Sequence, residues 1–154
     1  MIWIKRILYL FLLAALLFIA FIAYTLYRAK VGLPFYETEA HDITIPTDRP
    51  AVMIFSKTNG FVHRAAIKAS LPTYRKIARD NGWFIYETKD AGIFNAAQLK
   101  EFETDVWNNV SGNVLTPEQR ADFKSYFTSG VRFVGIHAAE DGSHTWDWYL
   151  DKLI

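Results

Sequence analysis

The chain begins with an apolar run that is too long for an ordinary core helix. Ile7–Tyr27 contains no charged residue over 21 positions. At a helical rise of about 1.5 Å per residue the run spans roughly 30 Å, the thickness of a bilayer's hydrocarbon core. Basic residues flank it, as is usual at membrane surfaces: Lys5, Arg6, Arg28 and Lys30. Residues 1–30 are therefore predicted to form one transmembrane anchor.

A cleaved signal peptide is the alternative interpretation of the same run. Its apolar region normally has about 7–15 residues and ends at a cleavage site with small side chains. This run is longer, and an aromatic residue lies two positions before each candidate alanine: Phe21 before Ala23, and Tyr27 before Ala29. We therefore expect an uncleaved, single-pass anchor. The positive charge on its amino-terminal side favours a cytoplasmic amino terminus with the domain outside.

The rest of the chain has a different composition. All 16 acidic residues follow residue 30 and no basic stripe is present, so nucleic acid is not an expected partner. The chain has no Cys, which excludes disulfides, thiolate metal ligands and thiol catalysis. Residues 31–50 contain several Pro and Gly residues without periodicity, and they are predicted to be a tether.

Strand-like and helix-like patterns alternate from Ala51 onward. The predicted strands are Ala51–Ser56, Trp83–Thr88, Glu103–Asn109 and Val131–Ile136, and the predicted helices are Arg64–Asn81, Asn95–Phe102 and Thr116–Ser129. This alternation predicts an α/β fold with a parallel sheet covered on both faces. Glu103 and Asp105 make the third strand unusually polar. Because Trp146–Ile154 starts another helix and only four strands are present, we expect a truncated domain or one completed by a partner chain.

The segment Val131–Asp141, VRFVGIHAAED, carries the clearest functional signal. A buried strand that ends in a Gly-x-His-x-Ala turn resembles the nucleophile elbow of an α/β enzyme. Such a turn lifts one side chain above the carboxyl end of the sheet, where ligands bind in this architecture. Here the raised residue is His137, which can act as a general base or a metal ligand.

Several segments together resemble the ThuA-like family, whose fold is similar to that of class I glutamine amidotransferases. They are SKTNGFVH at Ser56–His63, DVWNN at Asp105–Asn109, LTPEQRADFKSYFTSGVRFVGIHAAED at Leu115–Asp141 and DWYLDKL at Asp147–Leu153. The resemblance covers residues 51–154 and implies a flavodoxin-like, doubly wound parallel sheet, incomplete here. It also implies a role in the metabolism of disaccharides or keto-sugars, as in trehalose utilisation. His137 stands where the amidotransferases carry their Cys nucleophile, so a Cys-dependent glutaminase is not implied.

Two further residues are candidates for catalysis beside His137. His63 closes the loop after the first strand, and Asp141 lies four residues beyond His137. Since the carboxyl ends of parallel strands share one edge of the sheet, His63 is expected to meet His137 there, with Asp141 orienting His137 or binding sugar hydroxyls. His63 and His137 are also the candidate ligands of a divalent metal such as Zn²⁺, although no short His spacing supports such a site.

Polar and aromatic residues near this edge are candidates for contact with a carbohydrate. They are Ser56, Lys57 and Thr58 after the first strand, Asn108 and Asn109 after the third, and Trp146 beyond the elbow. Hydroxyl, amide and ammonium groups suit a polyhydroxylated ligand, and an aromatic ring can stack on a sugar. Each has a structural alternative, since polar loop residues often make local bonds and aromatic residues often pack in the core.

Three functions are compatible with the sequence. The first is a membrane-anchored domain that performs acid–base chemistry on a carbohydrate, as a hydrolase or an isomerase. The second is a non-catalytic sugar-binding or scaffolding module at the cell envelope. The third is a metal-dependent hydrolase that uses the same His pair. Homo- and hetero-oligomers remain open with each of them.

Overall fold

The computed structural model describes residues 2–33 and 35–153. Its first element is the helix α1, Ile2–Val31, which is exposed along almost its whole length. By length and composition α1 is able to cross a membrane. Arg28 and Lys30 lie in its last turn, where basic side chains also complement the helix dipole.

Four parallel strands form one sheet in the order β2-β1-β3-β4. They are β1 Ala51–Phe55, β2 Phe84–Thr88, β3 Thr104–Asn108 and β4 Arg132–Ile136. The register pairs Phe55 with Trp107 and Asn108 with Ile136, so the strands end together at one edge. This edge is called the carboxyl edge below. The order is that of a doubly wound flavodoxin-like sheet, as expected.

Helices lie on both faces of this sheet. They are α2 Arg64–Asn81, α3 Ala96–Leu99, α4 Pro117–Thr128 and α5 Asp147–Lys152. A short 3-10 turn, Ala91–Ile93, precedes α3. The helix predicted for Asn95–Phe102 is present but shorter, since it ends at Leu99. The side chain of Asn95 caps α3 by accepting from the Gln98 amide.

The main core lies on the face covered by α3, α4 and α5. Trp107 is fully buried at its centre and stacks on Tyr149, with ring centroids 5.0 Å apart. Phe55 and Phe123 contact the same indole at 5.7 and 5.3 Å. The large aromatic rings therefore fix α4 and α5 on the sheet through extensive apolar burial.

The strand β3 is regular and buried despite its polar sequence. Glu103 lies outside it and is exposed, whereas Asp105 is fully buried on the core face. The indole of Trp107 donates to Asp105 Oδ2 at 3.0 Å, while Oδ1 has no partner among the described residues. Burial raises the pKa of Asp105 to about 8, so the carboxyl is neutral at pH 7. Protonation of the Asp105 carboxyl thus allows this polar strand to be buried.

The α2 face of the sheet is less completely covered. A groove of about 590 Å³ lies there between α2 and the strands, and Val134 on β4 is 41% exposed. Pro50, Thr104 and Arg132 line the groove, so it opens near the amino ends of the strands. It is therefore at the opposite edge from the residues expected to carry function.

In the predicted tether, Val31 ends α1, and the described residues 32–33 and 35–50 have no regular secondary structure but pack against the α/β unit. Glu37 accepts from Lys57 at 2.5 Å, and Ile43 and Ile45 contact the hydrophobic core. His41 Nε2 lies 2.5 Å from Asp90 Oδ2. The segment is thus held along the surface of the domain over much of its length.

Candidate functional site

The two histidines predicted to meet do lie together at the carboxyl edge. The ring centroids of His63 and His137 are 4.4 Å apart, and the rings are nearly perpendicular. His63 is half-buried and His137 is exposed, so the pair is open to solvent. We call these two residues the His pair.

The turn after β4 presents His137 as an elbow. His137 has a φ of +51°, a left-handed conformation that non-glycine residues rarely adopt. It begins the 3-10 turn His137–Asp141 directly after Ile136, the last residue of β4. Gly135 leaves room for the same turn, because a Cβ there would lie 3.3 Å from the side chain of Ala139, closer than most such contacts. This strained geometry lifts the imidazole off the end of the strand.

His63 reaches the pair from the amino-terminal end of α2. It occupies the cap position of that helix but makes no side-chain bond to the helix amides. Its ring is free to contact His137, and the ring of Phe61 packs against it with centroids 4.8 Å apart. Phe61 was not singled out by sequence reasoning, because a lone aromatic residue in a loop carries no pattern.

Asn109 follows β3 at the position next to the His pair. The register pairs Asn108 with Ile136. The residues that follow them, Asn109 and His137, therefore lie side by side. Asn109 also has a left-handed φ, +57°. Its side-chain carbonyl is buried and has no hydrogen-bond partner among the described residues. A buried acceptor without a donor is unfavourable, so a water molecule or a ligand hydroxyl that reached this oxygen would stabilise it.

Asn108 lies beneath the site and is fully buried. Its Nδ2 donates to Ser56 Oγ at 3.2 Å, and its Oδ1 accepts from Ser70, Tyr74 and Asn109. The expected ligand candidates Ser56 and Asn108 are therefore bonded to each other. Burial of the Tyr74 hydroxyl raises its pKa, so it stays a donor at neutral pH. The network ties β1, β3 and α2 together below the His pair.

Lys57 and Thr58 are also placed by internal contacts. The Lys57 side chain is 5% exposed, and its ammonium is paired with Glu37 and lies 5.0 Å from the ring centroid of Phe35. Thr58 forms an isolated parallel bridge to Ser111. The predicted contact of both residues with a ligand stays a prediction. The pairing of the Lys57 ammonium with a carboxylate does not favour that contact for Lys57.

Asp141 contacts His144 and not His137, which it was expected to orient, and its alternative role in binding sugar hydroxyls stays a prediction. Its carboxylate contacts His144 Nε2 at 3.0 Å, and its backbone carbonyl accepts from Gly112 at 2.9 Å. Asp141 thereby joins the elbow to the loop after β3. No carboxylate is bonded to either imidazole of the His pair within residues 2–33 and 35–153.

Trp146 lies on the aromatic core rather than beside the His pair. It stacks on Tyr149 with centroids 5.6 Å apart, contacts Phe123 and is covered by the Arg120 guanidinium at 5.4 Å. Its half-buried ring is thus occupied on several sides by protein. Sugar stacking by Trp146 remains a prediction that this packing does not favour.

The predicted metal site would need additional ligands. The part of the chain that the structure describes contains no group of three or more His, Asp or Glu placed to hold a metal. The His pair offers two imidazoles, whereas a stable protein site for Zn²⁺ has at least three protein ligands. The geometry as described suits proton transfer better than metal binding.

Comparison with known proteins agrees with this architecture. The family model described as ThuA, trehalose utilisation, matches residues 51–154. No curated protein matches the chain significantly. A crystal structure of a ThuA-like protein from Bacteroides uniformis superimposes with a TM-score of 0.56 at 22% identity, over 72% of this chain and 46% of that one. The present chain therefore spans less than half of that protein. Because the family model covers more than half of this chain, the protein belongs to the ThuA family, to which a role in trehalose utilisation is ascribed.

Proposed function

We propose that this protein is a membrane-anchored ThuA domain that binds a disaccharide or keto-sugar and moves protons on it through His63 and His137. The observation that carries the proposal is the approach of the two imidazole rings to 4.4 Å at the carboxyl edge. This edge is where doubly wound sheets bind their ligands. The family's role in trehalose utilisation supports a carbohydrate as the ligand.

The spacing of the rings suits acid–base chemistry. In general acid–base catalysis one imidazole acts as the base in its neutral form and the other acts as the acid in its protonated form. The neutral ring accepts a proton from a sugar hydroxyl or an adjacent carbon, and the protonated ring donates to a carbonyl or glycosidic oxygen. Asn109 is joined to the residue before His137, since its amide donates to the Ile136 carbonyl at 3.1 Å, and its side-chain carbonyl would accept from a second hydroxyl that reached it.

The experiment measures binding and turnover on the full-length protein in detergent. Trehalose and a keto-disaccharide are each titrated by calorimetry, and products are followed by NMR. His63→Ala and His137→Ala are compared with His144→Ala, whose imidazole contacts Asp141 instead of the pair. We expect each pair variant to lose roughly 10²–10⁴-fold in turnover with similar affinity, and His144→Ala to stay near wild type.

Other outcomes would separate the alternatives. Loss of affinity in both pair variants, without turnover by the wild-type protein, would indicate a sugar-binding module. Turnover that depends on added Zn²⁺ and disappears with chelator would indicate a metal-dependent hydrolase. Unchanged binding and turnover in both pair variants would contradict the proposed site.

A further inference from the structure

The end of the helix α1 is docked on the loops that form the carboxyl edge. The Leu33 amide donates to the Asn59 carbonyl at 3.1 Å, and the Asn113 amide donates to the Val31 carbonyl at 3.1 Å. Asn59 Nδ2 donates to the Phe35 carbonyl at 3.0 Å. The segment that leaves α1 is thus bonded to the loop that leads to His63 and to the loop after β3.

Glycines make this contact very close. A Cβ on Gly32 would lie 2.3 Å from the Asn59 carbonyl oxygen, and one on Gly60 would lie 3.1 Å from the Ala29 carbonyl oxygen. A Cβ on Gly112 would lie 2.9 Å from the Val31 carbonyl oxygen. The backbone of α1 and both loops therefore pack without intervening side chains.

The position of these contacts along α1 gives their depth relative to a bilayer. The uncharged run ends at Tyr27, and the docked residues begin at Ala29. At about 1.5 Å per residue, Ala29 to Val31 lie within roughly 3–6 Å of the hydrocarbon boundary. The headgroup layer on each side of a bilayer is about 5–8 Å thick, so the docked loops fall inside it.

An exposed apolar rim surrounds the docking point. Its members are Leu33 at 48%, Phe35 at 66%, Phe61 at 60% and Val62 at 38% exposure. Leu33 and Phe35 flank the bonds to Asn59, while Phe61 and Val62 follow in the same loop and precede His63. Basic side chains lie in the adjoining segments: Arg28, Lys30 and Arg64. Apolar side chains beside basic ones are typical of surfaces that enter a bilayer interface with anionic lipids.

We propose that this apolar rim inserts into the headgroup layer of an anionic phospholipid bilayer and holds the His pair facing the membrane surface. The inference rests on the proposed membrane anchoring by α1. Phe61 packs on His63, so a rim held in the lipid also fixes the imidazole on the membrane side of the domain. The ligand then reaches the His pair along the bilayer surface, as a sugar presented among the headgroups would.

The test uses the absence of Cys from the chain. Single cysteines are introduced into the full-length protein as Phe61→Cys, Phe35→Cys, Leu17→Cys and Thr128→Cys. Each is labelled with a small fluorophore, and the protein is reconstituted into vesicles of phosphatidylcholine and phosphatidylglycerol. Leu17 lies within α1, while Thr128 ends α4 and is exposed near the amino ends of the strands. Quenching is measured with lipid brominated on its acyl chains and with aqueous iodide.

We expect the labels at 61 and 35 to be quenched by brominated lipid and to be several-fold less sensitive to iodide than the label at 128. Equal iodide quenching at 61, 35 and 128, with lipid quenching at 17, would overturn the rim proposal and leave the anchor intact. Labels at 61 and 35 shielded from both quenchers would indicate a protein partner and would also overturn it. Absence of lipid quenching at 17 would refute the anchor, and the rim proposal with it.

Discussion

At the scale of single residues, backbone strain is concentrated at the proposed site. Asn109 and His137 are the non-glycine residues with positive φ in the described part of the chain, and they lie side by side at the ends of β3 and β4. Asn tolerates this conformation comparatively well, whereas His adopts it at a cost of about 1–2 kcal/mol. Strain of this kind persists where the surrounding structure holds it, and it is often found at functional sites.

The strain at His137 is testable by substitution. His137→Gly relieves the backbone strain, whereas His137→Ala keeps it. Glycine also loses more chain entropy on folding, which offsets part of the stability gained. We expect the free energy of unfolding of His137→Gly to be about 0.5–1 kcal/mol higher than that of His137→Ala. Urea titrations of the two variants measure the difference. Equal stabilities would show that the turn carries no strain at this residue.

Asp105 makes the stability of the fold depend on pH. Its pKa is raised to about 8 by burial, against about 4 in the unfolded chain. Between these values the folded state holds a proton that the unfolded state has released. The free energy of unfolding therefore falls as pH rises through this window, by up to about 1.4 kcal/mol per pH unit, and levels off above it.

Asp105→Asn cannot ionise and is expected to remove this slope. Urea titrations of the wild-type protein and the variant at pH values from about 5 to about 8 measure the difference, in which the contributions of other groups cancel. Asp151→Asn, at an exposed position on α5, serves as the control and should keep the wild-type slope. Parallel pH profiles for wild type and Asp105→Asn would mean that the buried carboxyl is not protonated.

At the scale of elements, α4 is fixed by its first turn. Thr116 Oγ1 accepts from the Gln119 amide at 3.3 Å, and Gln119 Oε1 accepts from the Thr116 amide at 2.9 Å, which completes a capping box. The Gln119 side chain also donates to the carbonyls of Glu37 and Ala91. One residue therefore caps the helix and ties it to the segment before β1 and to the turn before α3.

Substitutions in this turn should differ in effect. Thr116→Ala removes one capping bond and is expected to lower the free energy of unfolding by about 1 kcal/mol. Gln119→Ala leaves three backbone groups without their partner and is expected to lower it by about 2–3 kcal/mol. Thr128→Ala, at the exposed end of the same helix, should change it by less than about 0.5 kcal/mol. Equal effects of Thr116→Ala and Gln119→Ala in urea titrations would contradict the tertiary role of Gln119.

At the scale of the whole molecule, α1 and the α/β domain are joined by direct backbone contact. Gly32 has a φ of +80° and lies against the Asn59 carbonyl, so both its conformation and its space exclude a side chain. The following segment continues along the domain through the Glu37–Lys57 ion pair. The carboxyl edge is thereby held at a defined distance from the end of α1.

Gly32→Ala should undock α1 from the domain. The added Cβ meets backbone atoms that cannot move aside easily, and it also strains the left-handed φ. Gly82→Ala is the matched control, since it has a φ of +69° and open space around it. We expect faster tryptic cleavage at Arg28 and Lys30 in Gly32→Ala than in Gly82→Ala or wild type. Identical cleavage in the three proteins would show that the docking is not maintained in solution.

Features set by short-range interactions could be predicted from the sequence. The uncharged run predicted α1, the apolar periodicity ending before Gly82 predicted α2, and the Thr116–Gln119 capping box predicted the start of α4. The Gly-x-His pattern predicted a sharp turn at His137, and His137 has a left-handed φ of +51° there. Each of these depends on residues within a few positions of one another, so a local pattern is sufficient evidence.

Only the tertiary structure decided which polar side chains bond to other protein groups and which stay available to a ligand. Lys57 was predicted to contact a ligand, but its ammonium is paired with Glu37 in the predicted tether. Asn108 was predicted to do the same, but its side chain is hydrogen-bonded to Ser56 and to Ser70 and Tyr74 on α2. These partners are distant in the chain and meet only through the strand order and the crossovers. The sequence by itself determined which helices and strands form and where the sharp turn after β4 lies. Only the tertiary structure shows that Asp105 is buried, which rings contact His63 and where α1 docks. Each of these features depends on contacts between segments far apart in the chain.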